Sequence, residues 1–203
     1  MLRLVVYLLL FGALLFVCLS AIVTILAGLG GIPVGLVRRL HPWATWIGGP
    51  AARTSILSRL AIAAAKSGQP DKATEFARRA LRASARGTRA TRAQALTTLG
   101  VVHRSMGQLA RAQESFRRAM DLAAAGSSRA NQCRTAINLG QISTERGEFE
   151  SAREALETAA ALGPSGGDLT LLLLASGYLH YLSLDYRNAR QEFARGLEVA
   201  RAH

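Results

Sequence analysis

The feature that most constrains this chain is a spaced set of small and apolar residues that recurs along it. In its clearest copy Leu96, Leu99 and His103 recur at helical spacing, Gly107 follows Met106, and Ala112, Phe116 and Ala119 fall at i, i+4 and i+7. Glycine takes the left-handed position after a helix cheaply, so Gly107 marks a turn between two helices. Gly100, Ala112 and Ala119 are small enough to let those helices approach, and Phe116 fills the space between them. An upstream copy holds Leu60, Ala61, Gly68, Ala73, Phe76, Ala77 and Ala80. A downstream copy holds Leu139, Gly140, Gly147, Phe149, Ala152, Leu156 and Ala159, and a fourth holds Gly177, Tyr178, Tyr186, Ala189, Phe193 and Gly196. The turn glycines Gly68, Gly107 and Gly147 are 39 and 40 residues apart, and Ala152 and Ala189 are 37 apart. In the fourth copy Leu184 stands where the turn glycine is expected. One such hairpin cannot bury its apolar face, so successive copies must stack to make a continuous core.

The pattern resembles the tetratricopeptide repeat, over about residues 52–203. That repeat is usually about 34 residues long, and the excess here falls in Ser/Gly-rich joints at 83–88, 126–128 and 163–167. The family's proline near the end of each repeat is missing apart from Pro164. The resemblance implies an all-α solenoid of about four helical hairpins, with repeats at about 54–88, 90–127, 129–165 and 168–203. Helices are expected over 52–67, 71–84, 90–106, 109–124, 129–146, 149–162, 168–183 and 186–201. Pro70 opens the second of these, proline being tolerated in a first turn, and Asp168 is expected to cap the seventh.

Ahead of the repeats the chain changes character. No charged residue stands between Leu4 and Val37. A run this long reads as one transmembrane helix, opening at Leu4 and closing at Ala27, where 24 residues reach about 36 Å. Gly28, Gly30, Gly31, Pro33 and Gly35 then break it, so residues 1–37 form the anchor and 38–51 a juxtamembrane segment. A cleaved signal peptide is the alternative. It needs a shorter apolar core, a stronger basic flank than Arg3 and a better site than Leu19-Ser20-Ala21. Val17 before Cys18 argues against a lipoprotein signal. Arg38, Arg39, Arg53, Arg59 and Lys66 follow the span with no acidic residue before Pro70. Positive flanks stay cytoplasmic, which puts the N-terminus outside and the repeats inside, as in a bacterial inner-membrane protein. Trp43 and Trp46 are expected at the lipid headgroup level.

Charge divides the repeats in two. Residues 53–132 hold 15 Lys/Arg and 4 Asp/Glu, a balance of +11, whereas residues 133–203 hold 7 and 9, a balance of −2. The basic half suits an anionic lipid surface or an acidic partner. Nucleic acid is a weaker reading, because aromatics for stacking do not alternate with the arginines. No catalytic constellation, metal-binding spacing or phosphate loop is present, so no enzyme activity and no cofactor is expected. His103 and His180 occupy equivalent places in two hairpins and read as structural. Glu145, Glu148, Glu150, Glu154 and Glu157 straddle a turn and a helix start, where carboxylates are favourable without a metal. Cys18 and Cys133 make no disulfide framework.

The resemblance implies a scaffold that binds a protein or peptide through its concave groove, lined by the first helix of each hairpin. Carried over by position, the groove set is Ser58, Arg59, Ile62 and Lys66; Thr97, Thr98, Val101 and Arg104; Arg134, Ile137, Asn138 and Gln141; and Leu171, Leu174, Tyr178 and Tyr181. Some members clamp a peptide carboxylate in the first repeats, but Ser58 and Ile62 occupy those places here, so that clamp is not expected. The set grades from polar and basic to apolar, which suits a peptide with an acidic and a hydrophobic end. The fourth repeat is expected to be bare enough to recruit a partner or a second copy, because its first helix is uncharged from Leu169 to Leu184. Assembly or recruitment of a membrane-associated complex is the implied role. The alternative is an extracytoplasmic assembly factor of reversed topology.

Overall fold

The computed structural model describes residues 49–123 and 129–202. The apolar run from Leu4 to Ala27, the glycine-rich break after it, Cys18, Trp43, Trp46, the joint at 124–128 and His203 lie outside the described residues. Among the described residues no helix is long and apolar enough to cross a membrane.

Those residues form eight α-helices. They are α1 (Pro50–Lys66), α2 (Pro70–Ser84), α3 (Arg89–Ser105), α4 (Leu109–Ala123), α5 (Arg129–Glu145), α6 (Phe149–Ala161), α7 (Gly166–Leu182) and α8 (Tyr186–Arg201). Each odd helix pairs with the next even one, and each hairpin packs on the following odd helix. The described part is therefore an all-α solenoid.

All four hairpin turns close the same way. Gly68 N–H donates to the Ala65 carbonyl and Gln69 N–H to that of Ala64, at 3.2 and 2.9 Å. The same crossed pair of bonds recurs at Gly107 and Gln108, at Gly147 and Glu148, and at Leu184 and Asp185. This is the Schellman arrangement, which satisfies the orphan carbonyls at a helix end. It requires a left-handed residue, and φ is +67° at Gly68, +71° at Gly107 and +75° at Gly147. Leu184 adopts +65° as well. The fourth hairpin thus keeps the common turn without glycine, at a steric cost of roughly 1 kcal/mol.

Inside each hairpin two positions sixteen residues apart face each other. A Cβ on Gly100 would lie 2.6 Å from the Phe116 ring, one on Gly140 2.6 Å from Leu156, and one on Gly177 2.6 Å from Phe193. In the first hairpin the same two positions hold Ala61 and Ala77, both fully buried. Phe76 sits one residue off that register and packs at the edge of the cluster. Gly–Phe and Gly–Leu pairs fill the space between the helices directly, and beside the Ala61–Ala77 pair Phe76 helps to fill it.

Asp168 is not the cap of α7. The helix starts at Gly166, with Ser165 at the N-cap position. Asp168 lies in the first turn, where its Oδ1 accepts from Arg134 Nε at 2.7 Å. A carboxylate there is favoured by the helix dipole and by the arginine together.

Candidate protein-interaction surface

The first helices stack through one recurring face. Thr97 on α3 meets Thr135 on α5, hydroxyl to hydroxyl at 3.0 Å. One to two turns on, Arg104 Nε donates to Glu145 Oε1 at 2.8 Å, and its Nη1 donates to Gln141 Oε1 at 2.6 Å. Val101 packs beside the cluster of Ala112, Phe116 and Ile142. The next interface uses the face of α5 that corresponds to this face of α3. Arg134 reaches Asp168, and Ile137 packs with Leu172, Ala175 and Leu179 of α7. The first of these contacts is largely polar and the second largely apolar.

These contacts revise what the groove set can do. Ser58, Thr98 and Ile137 are 3%, 4% and 2% exposed, so they belong to the core and not to a groove floor. Arg104 and Arg134 already have carboxylate partners one repeat on. Their charges hold neighbouring repeats in register, each pair contributing about 0–1 kcal/mol while part-exposed. Of the remaining set, Arg59, Ile62, Asn138 and Gln141 are half-buried and Lys66 is exposed. Glu145 and Glu148 are spent on structure: Glu148 accepts from Arg146 Nε at 2.7 Å and from Gln113 Nε2. Those two bonds, Arg146 first, hold its carboxyl below the ordinary range.

At α7 the recurring face has no successor among the described residues. Leu171, Leu174, Tyr178 and Tyr181 stand 37 residues after Arg134, Ile137, Gln141 and Thr144. They are 45%, 43%, 41% and 52% exposed. The opposite side of α7, with Leu172, Leu173, Ala175 and Leu179, is buried. On α8, Phe193 and Leu197 are 37% and 51% exposed, and Tyr186 stacks edge-on to Tyr181 with ring centroids 5.7 Å apart. Among the described residues every exposed large hydrophobic except Met106 belongs to this hairpin. The sequence flags the α7 stripe through its lack of charge. Leu184 and Tyr186, at the turn of the fourth copy, add to it.

The arginines of the basic half converge elsewhere. One cleft is lined by Arg53, Leu57, Arg79 and Arg82. A neighbouring cleft of about 510 Å³ holds Arg82, Arg92 and Arg118 over Leu81, Leu96 and Leu122, with Asp121 at its edge. Counting charges along the chain shows the excess, but only the fold brings Arg82, Arg92 and Arg118 from three helices to one place.

The remaining titratable groups are structural in their surroundings. Burial lowers the His103 pKa, and its Nδ1 lies 3.4 Å from Ser115 Oγ. His180 Nδ1 lies 3.3 Å from Asp185 beside the fourth turn. Burial pushes the Cys133 thiol up, which disfavours the thiolate. Among the described residues no group of three His, Cys, Asp or Glu is placed to hold a metal.

Stacked helical hairpins with an open apolar end define a helical-repeat protein of the kind that serves as an interaction scaffold. A family model described as tetratricopeptide repeat matches residues 51–125 and 91–165, more than half of the chain, and the chain belongs to that family. No curated protein matches it. The fold is similar to the crystal structure of BtubC (BKLC) from P. vanneervenii, with TM-score 0.64 and 22% identity over 83% of this chain and 72% of that one. It is also similar to MamA from AMB-1, with TM-score 0.57 and 16% identity over 91% of this chain and 98% of that one. A further MamA crystal structure aligns with TM-score 0.52 and 19% identity over 73% and 79% of the two chains.

Proposed function

We propose that this chain is a membrane-tethered scaffold that recruits a partner protein or peptide. The tether is the uncharged run from Leu4 to Ala27, with 1–37 as anchor, 38–51 as juxtamembrane segment and the repeats from 52 onward. The positive flank that follows favours repeats on the cytoplasmic side. Tethering brings the first two hairpins closest to the bilayer, where the arginine-lined clefts suit anionic headgroups. The partner surface comprises the part-exposed residues along the first helices, Arg59, Thr97, Val101, Arg104, Arg134, Asn138 and Gln141, and the α7 stripe of Leu171, Leu174, Tyr178 and Tyr181.

The observation that carries this reading is the concentration of bare apolar side chains on the fourth hairpin. Each fully buried Leu is worth about 1.5–3 kcal/mol over exposure, so such a stripe favours association. The test is photo-cross-linking of the full chain in native membranes after an alkaline carbonate wash. The chain should stay with the membranes. A photoreactive phenylalanine analogue at Asn138 or Tyr178 should form an adduct with another polypeptide, and the same group at exposed Arg117 should form none. Release by carbonate would remove the tether, and no adduct at either position would remove the scaffold.

A further inference from the structure

We infer that the α7–α8 end of the solenoid pairs with the same end of a second copy of this chain, two-fold related, with the two α7 helices antiparallel. The inference rests on the reading of the fourth hairpin as an association surface and names its occupant.

Four observations lead to a second copy. First, the bare stripe is a helix seam. Leu171, Leu174, Tyr178 and Tyr181 are spaced 3, 4 and 3 residues apart, the a–d–a–d spacing of helices packed side by side. Antiparallel pairing sets Leu171 against the partner copy's Tyr181 and Leu174 against its Tyr178, the smaller side chain facing the larger in every pair.

Second, the face is one that repeats of this chain already cover. Phe116 is fully buried and packs with Ile142 of α5, the helix that follows its hairpin. Phe193 occupies the same position in the fourth hairpin and is 37% exposed. In the second hairpin the cover is a helix that follows α3 and α4, and a second copy's α7 would cover α7 and α8 in the same way.

Third, charge and polarity select like against like. No Asp, Glu, Lys or Arg stands from Leu169 to Leu184, so the two α7 helices bring no charge into their own seam. The +11 half would repel itself. A head-to-tail stack would need a bare apolar face at the other end, yet Ile56 and Leu60 of α1 are only 5% and 6% exposed. An isologous pair closes after two copies, whereas the heterologous stack would continue as a filament.

Fourth, the area suffices. Leu171, Leu174, Tyr178, Tyr181, Phe193 and Leu197 are 37–52% exposed. At roughly 200 Å² per large side chain they leave roughly 550 Å² bare in each copy. Pairing would bury about 1,100 Å² before any polar rim, above the roughly 1,000 Å² that a specific interface needs.

The experiment is the mass of the detergent-solubilised full chain by light scattering, together with cysteine cross-linking. Wild type should have twice the chain mass, and Leu174→Glu with Tyr178→Glu should have the single-chain mass at unchanged helix content. In a background of Cys18→Ser and Cys133→Ala, Leu174→Cys with Tyr178→Cys should close into a covalent dimer on mild oxidation. Either cysteine alone should close at least tenfold more slowly, because like positions are offset along the helix by about four residues, or 6 Å. A monomeric wild type, a ladder of higher species, a dimer that survives the double Glu change, or equal closure by the single cysteines would each overturn the inference. The cysteine result decides if the Glu variant unfolds. A monomer that still gives adducts with another polypeptide at Asn138 would overturn the dimer and leave the scaffold standing.

Discussion

Phe116 and Phe193 are the same residue in the same seat of two hairpins, each lying over a glycine that its ring would otherwise strike. One is fully buried and the other is 37% exposed. The difference is that α5 follows the second hairpin and no helix follows the fourth among the described residues. In a solenoid each hairpin's stability includes the interface with its neighbour, so position in the stack decides what a residue contributes.

The largest effect should come from testing that pair directly. Phe116→Ala removes a fully buried ring and should destabilise the repeats by about 3–5 kcal/mol. Phe193→Ala should cost well under half as much, because part of its ring already faces solvent. Urea unfolding of both variants in micelles, followed by circular dichroism, measures the gap. Equal losses would show that Phe193 is covered in solution, which is also what a dimer stable through the unfolding transition would produce. Repeating the measurement on the monomeric Leu174→Glu and Tyr178→Glu background restores the gap if the cover is a second copy.

A smaller effect separates the turns. Gly147→Ala forces a Cβ into a left-handed position and should cost about 1 kcal/mol. Leu184→Gly should do the reverse and stabilise by roughly 0.5–1 kcal/mol, since that strain is already present in the fourth turn. Thermal melts of the two variants should therefore shift in opposite directions. A loss on Leu184→Gly would mean that the leucine side chain, though 72% exposed here, is held in a contact.

The smallest effect is on acid stability. The residue after the left-handed position is Gln69 or Gln108 in the first two hairpins and Glu148 or Asp185 in the last two. Glu148 is held low by Arg146 and Gln113, and Asp185 by the Asn188 backbone and side-chain amides. A carboxyl with a depressed folded pKa contributes stability above its unfolded value and loses that contribution as pH falls through the folded value. The second half should therefore weaken below about pH 4, the ordinary carboxylate range, and the two glutamine turns should not weaken by this route. Glu148→Gln with Asp185→Asn should flatten the fall of the unfolding midpoint between about pH 5 and pH 3. An unchanged slope would show that these two turn carboxyls do not set the acid sensitivity.

Much of this molecule is legible without coordinates. Helical spacing, turn glycines and the small–large pairs are local or repeat at a near-constant period, so Gly100 and Phe116 disclose one hairpin and Gly140 and Leu156 the next. The groove set was less legible. Arg104 and Glu145 are 41 residues apart, and Arg134 and Asp168 are 34 apart. Opposite charges about one period apart are a faint signal of pairing between first helices.

The all-α hairpin array and its division into a basic and a faintly acidic half are readable from the chain alone. Both follow from residue spacing and charge, which do not depend on what lies next to them in space. The tertiary structure alone decided which residues are bare. Thr98 and Ile137 vanish into the core, while Leu174 and Tyr178 stay exposed on the corresponding kind of helix. It also decided that Leu184 takes the glycine conformation and that Arg82, Arg92 and Arg118 share a cleft. Burial and charge pairing are properties of neighbours in space, which spacing along the chain does not reveal.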